Sequence, residues 1–498
     1  MKNKINWLGW GKEAFEKAKK ENKPILLDLT AVWCHWCHVM DSTSYSDDRI
    51  AQIINNDFIP IKVDIDERPD IRERYNMGGF PSTVFLNHNG DIMAGDTYVP
   101  PERLKPALES VKIQYQKNPA SSGRVFANKG KASAKPLNKK VIDEGIIKEI
   151  LISVENNFDV SHGGFGMEPK FPHPDVLDFL LINYKKTKIK KYLDMALKTL
   201  DGMRDGIYDN VDFGFFRYSV TQDWKTPHYE KMLDTNAGLL KNYSTAFEIT
   251  KEEKYKDTVI GVLSYIEGFL SDRKKGGFYG SQDADEEFYS LSGKERKNKR
   301  YPYVDKKIYV DWNSMMISSY IRAASILNDN KTIKFALKSA DFILDKCYSQ
   351  KNGLCHFFDG MPNMHGLLND NIYFLNALID AHSINRNEKY LENIKENSAF
   401  ILKNFYDEKA GGFYDGIAKE DSLGMLKYKE KQFLENCFSS IVFLRIYFLT
   451  GEKMYRNCAE KTLLHFVGDY ARFGHFSAVY AMAADMLLNG RRNESTFD

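Results

Sequence analysis

Two cysteines, Cys34 and Cys37, follow an apolar segment that runs from Pro24 to Leu29. The segment predicts a buried strand, and a Cys-x-x-Cys that opens the next helix is the arrangement of a dithiol redox site. Free N–H groups and the helix dipole at the helix N-terminus stabilise a thiolate, so we expect Cys34 to be the attacking group. Cys37 lies one turn further on, where it can attack a mixed disulfide formed on Cys34.

Three alternatives to a redox dithiol remain open at this stage. Cys34-x-x-Cys37-His38 also fits c-type haem attachment, which needs export or a dedicated pathway, and the N-terminus has no apolar signal region. A zinc site is the second alternative, since His35 and His38 add ligand types, but closed zinc sites usually use two separated pairs. Two inert reduced cysteines are the third. We expect no metal and no cofactor.

Apolar and turn patterns around the dithiol predict one α/β unit over residues 1–117. The strand after Pro24 is followed by a second with period-two alternation, and a Gly-Phe-Pro turn leads into a third. Asn87 to Asp91 is a hairpin signal, and a helix closes the unit. The predicted strands lie at 25–29 and 58–65, and a third follows the turn within 78–86. The predicted helical segments lie at 14–21, 34–45, 49–55, 69–75 and 103–116.

This segment resembles thioredoxin through Trp33, Asp28 six residues before Cys34, Lys62 in the neighbouring strand, and Pro81. The resemblance implies a buried acid beneath the dithiol, with Lys62 as its partner in proton transfer to Cys37. It also implies a cis Phe80–Pro81 bond facing the dithiol, a geometry uncommon enough to suggest a purpose. Because His35 lies beside Cys34 and lowers the pKa of its thiol, we expect a stronger oxidant than thioredoxin.

Length and charge define the rest of the chain broadly. At 498 residues it exceeds one ordinary domain, and the formal net charge of +2 gives no overall attraction to nucleic acid or a membrane. The longest apolar stretch, Phe438 to Leu449, is interrupted by Arg445. We expect a cytoplasmic protein, because a reducing compartment suits a reversible dithiol. The Ala-, Ser- and Lys-rich residues 118–140 predict a linker, and residues 141–498 predict a second domain.

The second domain contains about twelve segments with helical apolar spacing, joined alternately by a short turn and by a loop containing Gly and an aromatic residue. A unit recurring every 50 to 75 residues indicates a repeat architecture. Six hairpins closing on themselves predict an all-α (α/α)6 toroid, and an open superhelix is the alternative. The loops are Gly163–Phe165, Phe213–Phe216, Gly276–Tyr279, Gly353–Phe357, Gly411–Tyr414 and, weakly, Phe473–Phe476.

Polar residues after these loops predict a second site, because loops of one kind emerge at one end of a closed ring. Acidic or amide residues begin the inner helices at Asp175, Asp234, Asp311, Asn369, Asp370 and Glu435, where capping alone is the competing explanation. We expect a shared cavity that binds a hydroxyl-rich, sugar-like ligand. Its candidate residues are His162, Lys170, His173, Arg217, Tyr218, Trp224, His228, Glu230, Asp283, Asp285, Asp311 and Asn313.

The chemistry of this cavity follows only from residue type. Two carboxylates suit glycoside hydrolysis, histidine bases suit a sugar epimerase, and aromatic rings stack on sugars. A polar mouth without a ligand is the alternative. The leading hypothesis is therefore a thiol–disulfide oxidoreductase, acting on protein or small-molecule thiols, fused to a carbohydrate-type barrel. A sugar-active enzyme with a regulatory dithiol and a non-enzymatic interaction protein are the competing hypotheses.

The motifs also resemble one family over most of the chain, the thioredoxin-domain-containing proteins of the spermatogenesis-associated protein 20 type. That resemblance implies a thioredoxin-like domain fused to a six-hairpin glycosidase-like barrel, and it implies the architecture more than a reaction. The motifs that carry it are Cys34–Met40, Glu67–Asp70, Lys170–Pro174, Arg217–Val220, Pro227–Leu233, Asp283–Asp285 and Asp311–Asn313.

Overall fold

A computed structural model describes residues 4–119, 141–417 and 422–490. The chain divides into two compact units, which we describe separately. Unit 1 comprises residues 1–131 and 418–429, and unit 2 comprises residues 132–417 and 430–498. Most of the linker expected at 118–140 lies outside the described residues. The sequence pattern did not predict that residues 418–429 belong to unit 1.

Unit 1 is a four-stranded mixed sheet with strand order β2-β1-β3-β4. The central strand β1 pairs parallel with β2 and antiparallel with β3, and the predicted hairpin joins β3 to β4. All six residues of β1 are at least half buried, because helices cover both faces of the sheet. The elements are α1 (Lys12–Glu21), β1 (Ile25–Thr30), α2 (His35–Ser42), α3 (Asp48–Asp57), β2 (Ile59–Asp64), α4 (Pro69–Tyr75), β3 (Ser82–Leu86), β4 (Ile92–Asp96) and α5 (Pro101–Lys117).

Residues 422–429 pack within unit 1 although they follow most of unit 2 in the sequence. The Tyr75 hydroxyl donates to the Gly90 carbonyl at 2.8 Å and accepts from the Met425 amide at 2.8 Å. Gly90 and Gly424 both have a positive φ, and a Cβ on Gly90 would clash with the Gly424 backbone whereas a Cβ on Gly424 would clash with the Tyr75 hydroxyl. Close backbone packing therefore explains these two glycines.

Unit 2 confirms the (α/α)6 toroid. Six inner helices contact one another in a closed ring, in the order α7, α9, α13, α15, α17, α19 and back to α7. Each inner helix also packs on an outer helix, and the first helix α6 covers the last helix α19. The twelve long helices of the described part are α6 (Glu144–Asn156), α7 (Pro174–Thr187), α8 (Lys190–Gly206), α9 (Leu233–Thr250), α10 (Glu253–Phe269), α13 (Val310–Leu327), α14 (Asn330–Lys346), α15 (Leu368–Asn385), α16 (Glu388–Asn404), α17 (Phe433–Thr450), α18 (Lys453–Phe466) and α19 (Ala478–Asn489).

Short strands and helical turns fill the loops of unit 2 between outer and inner helices. They form a two-stranded pair, β5 with β6, a three-stranded sheet of β7, β8 and β9, and a sheet around β12. They are β5 (Tyr218–Ser219), β6 (Pro227–His228), β7 (Lys231–Met232), β8 (Ser281–Gln282), α11 (Glu286–Tyr289), α12 (Gly293–Arg296), β9 (Val304–Asp305), β10 (Ile308–Tyr309), β11 (Tyr348–Ser349), β12 (Gly353–Phe358) and β13 (Pro362–His365).

The inner helices α9, α13 and α17 are each fastened to the preceding loop by a buried asparagine in the first turn of the helix. In α13, the Asn313 side chain accepts from the Phe278 amide at 2.7 Å and donates to the Phe278 carbonyl at 2.9 Å. Asn236 in α9 and Asn436 in α17 make the same pair of bonds to the aromatic residues of their own loops. These bonds satisfy loop backbone groups that would otherwise be buried without a partner.

Helix α17 is long and apolar enough to cross a membrane by length and composition alone, with a mean hydropathy of 1.3. More than half of it is buried inside unit 2. Its Arg445 pairs with the buried Asp380 of α15. Both features fit an inner helix of the toroid.

Candidate functional site

The dithiol lies where the sequence predicted it, at the start of α2 in unit 1. Cys34 is the N-cap residue, its sulfur accepts from the Cys37 amide at 3.2 Å, and the two cysteines form a disulfide. Both are buried, whereas the intervening Trp36 is 46 % exposed and packs against Tyr98. The dithiol is therefore bordered by an exposed aromatic surface.

Asp28 and Lys62 occupy the positions expected of the acid–base partners. They are paired across β1 and β2, and the Lys62 ammonium lies 3.1 Å from the Asp28 carboxylate. Lys62 also contacts Asp41 of α2, at the shorter distance of 2.6 Å. Burial raises the pKa of Asp28 to about 6, with Lys62 opposing the rise and Asp41 adding to it. A carboxyl group with this pKa can accept or release a proton near neutral pH.

The Phe80–Pro81 peptide bond is cis, as predicted. Pro81 directly precedes β3, in which Ser82 pairs with Leu29 of β1. The turn that carries Pro81 thus lies at the end of β1 from which the chain runs on to the dithiol.

In unit 2, the short strands bring together five of the predicted residues. Tyr218 pairs with His228 across β5 and β6, and their rings stack with centroids 4.8 Å apart. His228 Nδ1 is hydrogen-bonded to the fully buried Glu230 carboxylate. The amide of Arg217 donates to the Glu230 carbonyl at 2.8 Å. Lys231 pairs with Gln282 across β7 and β8, so Glu230 and Asp283 lie at the same end of that pairing.

His173 belongs to the same cluster and meets a residue that sequence reasoning missed, His475. Its ring lies 4.9 Å from that of His475, and its neighbour Phe171 stacks on Tyr218 at 4.7 Å. Burial, reinforced by His475, lowers the pKa of His173 to about 3, and burial also lowers the pKa of His475. Two neutral imidazoles therefore face each other where the first and last hairpins of the ring meet. In the sequence, His475 could have been found through the loop Phe473–Phe476, which matches the Gly-aromatic loop pattern only weakly.

A second polar group lies around Tyr373 of α15. Burial raises the pKa of Tyr373, and four carboxylates on four other inner helices raise it further. Asp175 at the start of α7 is solvent-accessible, yet burial raises its pKa to about 6. The four carboxylates are Asp175, Asp311, Glu435 and Asp234.

Two predicted binding residues are instead parts of the loop framework. The ammonium of Lys170 is fully buried and bonds to Asp159 and to the carbonyls of Gly163 and Gln222, at 2.5 to 2.8 Å. Lys431 makes the corresponding bonds to Asp407 and the Gly411 carbonyl, so Lys170 repeats a structural device. Trp224 is completely buried under Lys170.

Three further predicted residues also have local structural partners. Asn313 is the loop fastener described above, and Asp285 caps α11 by accepting from the Phe288 amide at 2.8 Å. His162 is exposed and contacts Asp159 of its own loop. Each of these three residues therefore has a local structural role.

Comparisons with known proteins are consistent with the folds of both units. Residues 1–128 match the family described as "Protein of unknown function, DUF255". The chain is 27 % identical to human spermatogenesis-associated protein 20 over 91 % of its own length and 74 % of the relative. Over 103 residues it is 31 % identical to thiol:disulfide interchange protein DsbD of Campylobacter jejuni (strain RM1221), covering 19 % of this chain and 18 % of that one.

Among solved structures, D-mannose isomerase matches with a TM-score of 0.56 and 12 % identity, over 69 % of this chain and 96 % of the isomerase. At this identity the match shows the fold alone. The protein therefore combines a thioredoxin-like domain with a six-hairpin glycosidase-like toroid. It is homologous to spermatogenesis-associated protein 20 over most of its length.

Proposed function

We propose that unit 1 is a thiol–disulfide oxidoreductase. The observation that carries this proposal is the position of Cys34, at the N-terminus of α2 with Cys37 bonded to it. The buried Asp28–Lys62 pair on the adjacent strands supports it. The sequence similarity of this region to an interchange protein is consistent with the same chemistry.

In the reducing direction, the Cys34 thiolate attacks one sulfur of a substrate disulfide. One substrate sulfur leaves as a thiolate, and the other stays bound to Cys34 as a mixed disulfide. The Cys37 thiolate then attacks Cys34, releases the second substrate thiol and forms the Cys34–Cys37 disulfide. The enzyme loses the two electrons that the substrate gains. Asp28 takes up the proton that Cys37 must lose, and exposed Trp36 contacts the incoming substrate.

The test is reduction of a protein disulfide such as that of insulin, with dithiothreitol regenerating the full-length protein. We expect Cys34→Ser to abolish catalysis and Cys37→Ser to accumulate a Cys34-linked mixed disulfide, detectable by mass spectrometry. Cys437→Ser, at a buried cysteine of unit 2, is the matched control and should retain activity. Full activity of Cys34→Ser would disprove the proposal.

A second function is supported for unit 2, the binding and conversion of a sugar-like ligand. The His228–Glu230 pair provides a proton carrier, and the neutral rings of His173 and His475 provide hydrogen-bond acceptors for sugar hydroxyls beside it. The matched isomerase shares the fold. Incubating the protein with D-mannose and other free sugars in D2O tests this function, because abstraction of the C2 proton is followed by deuteration at C1 of a ketose product or at C2 of an epimer.

We expect deuterium incorporation by the wild-type protein and its loss in His475→Gln. The exposed His162→Gln is the control and should behave like the wild type. Absence of incorporation with every sugar, together with no ligand-induced rise in Tm, would leave unit 2 without this activity.

A further inference from the structure

Three side chains of metal-ligand type meet in unit 2, outside the cluster around His228 and Glu230. Asp311 is the second residue of α13, His356 lies in β12, and Asp370 is the third residue of α15. One potential ligand atom from each lies within 4.8 Å of the other two. His356 Nδ1 and the Asp370 Oδ1 are 2.9 Å apart. The three residues come from separate elements that β12 brings together by packing on α13 and α15.

Asp370 gives a second, independent indication of a ligand. Its side chain is fully buried, and its Oδ2 makes no hydrogen bond within the part of the chain that the structure describes. Burial raises the pKa of Asp370, although His356 and the nearby His365 favour its charged form. A buried carboxylate oxygen without a partner is costly, so this position calls for a bound group.

The charges identify that group as a cation. Two carboxylates and one imidazole carry more negative than positive charge even when His356 is protonated, and a divalent ion balances them. The positive N-terminal ends of α13 and α15 favour the ionised carboxylates, which is the form that ligates a metal. An imidazole beside two carboxylates suits Mn²⁺ or Zn²⁺ better than Mg²⁺ or Ca²⁺, which prefer oxygen ligands.

We propose that Asp311, His356 and Asp370 bind one divalent transition-metal ion in the toroid of unit 2. Three protein ligands leave further coordination positions for water or a hydroxylated ligand, as in catalytic rather than closed structural sites. The site is independent of the dithiol, which belongs to unit 1. The sequence predicted no metal, because Asp311 and Asp370 lie 59 positions apart and were explained equally well as helix caps.

Mn²⁺ binding to the full-length protein tests the proposal, because thiolates bind Mn²⁺ much more weakly than Zn²⁺. The protein is first treated with a chelator and dialysed. Loss of the free Mn²⁺ signal in electron paramagnetic resonance then gives stoichiometry and Kd. We expect one ion per chain and a rise in Tm on binding. Asp370→Asn, which keeps the shape of the side chain, should weaken binding by at least about tenfold.

Two further variants keep the test decisive. His465→Gln removes a histidine on α18 outside the cluster and should bind Mn²⁺ as the wild type does. Asp311→Asn changes a half-buried ligand, so it gives a second measurement if Asp370→Asn fails to fold as judged by circular dichroism. Absence of Mn²⁺ binding by the wild type, or unchanged Kd in a folded Asp370→Asn or Asp311→Asn, would overturn the proposal.

Discussion

Replacing Asp28 by Asn should stabilise unit 1 at neutral and alkaline pH. The Asp28 side chain is 1 % exposed, and burial raises its pKa from 3.8 to about 6. Since one pKa unit corresponds to about 1.4 kcal/mol, this rise corresponds to about 3 kcal/mol. Asn carries no charge, and Lys62 keeps its 2.6 Å contact with Asp41 after the substitution. The variant therefore avoids the cost of a buried charge without leaving Lys62 unpaired.

The pH dependence has a defined direction. Between pH 3.8 and about 6 the folded protein holds the Asp28 proton more tightly than the unfolded chain does. The free energy of unfolding of unit 1 consequently falls as the pH rises through this window. Above pH 6 the full cost of the buried Asp28 charge applies. The stability advantage of Asp28→Asn over the wild type should therefore be about 2.5 kcal/mol larger at pH 8 than at pH 4.

Hydrogen exchange of peptides containing β1, measured with increasing urea, reports the stability of unit 1 without interference from unit 2. Asp41→Asn is an informative partner variant. Asp41 raises the pKa of Asp28, so its removal should reduce the pH-dependent cost rather than abolish it. A difference between Asp28→Asn and wild type that is the same at pH 4 and pH 8 would refute this explanation.

Three further predictions follow from the described contacts. Asp209→Asn should destabilise unit 2 by about 3–5 kcal/mol in denaturant unfolding, because buried Lys231 and Arg296 lose the carboxylate that they share. The exposed Asp205→Asn is the control and should leave the stability unchanged. Asn436→Ala should lower the free energy of unfolding by about 2 kcal/mol, because it leaves the buried Phe413 amide without a hydrogen-bond acceptor. The partly exposed Asn393→Ala is the control and should have little effect. Trp36→Ala should reduce kcat/KM for protein disulfides roughly fivefold, with an unchanged redox potential.

Local patterns predicted most of the fold. All twelve long helices of unit 2 were predicted, because each buries an apolar face with helical spacing and begins or ends at a recognisable loop. The positions of strands β1, β2 and β3 along the chain were equally readable from apolar patterns and turn residues. Local patterns did not predict that residues 422–429 pack in unit 1, because this packing depends on contacts such as that between Tyr75 and Met425, 350 positions apart.

The candidate sites were predicted less completely, for a physical reason. Residue type makes Lys170, Trp224 and Asn313 candidates for binding a ligand, but burial decides whether their side chains face a ligand or the protein. In the structure each has its polar atoms bonded to loop backbone. His475 was missed because its importance comes from ring closure, which places the last loop beside His173 of the first hairpin.

The repeated hairpins provide an internal comparison that separates framework from function. A buried lysine joins a loop aspartate and a loop carbonyl in three hairpins, at Lys170, Lys231 and Lys431. A feature that recurs in this way serves the hairpin itself, whichever ligand the toroid binds. The His228–Glu230 pair and the His173–His475 contact belong to particular loops and do not follow the repeat. Asp311 and Asp370 lie where other inner helices also begin with acidic or amide residues, but their contact with His356 is particular to β12. Folding the hairpin does not require these groups, so substitutions there should change ligand or metal binding more than stability.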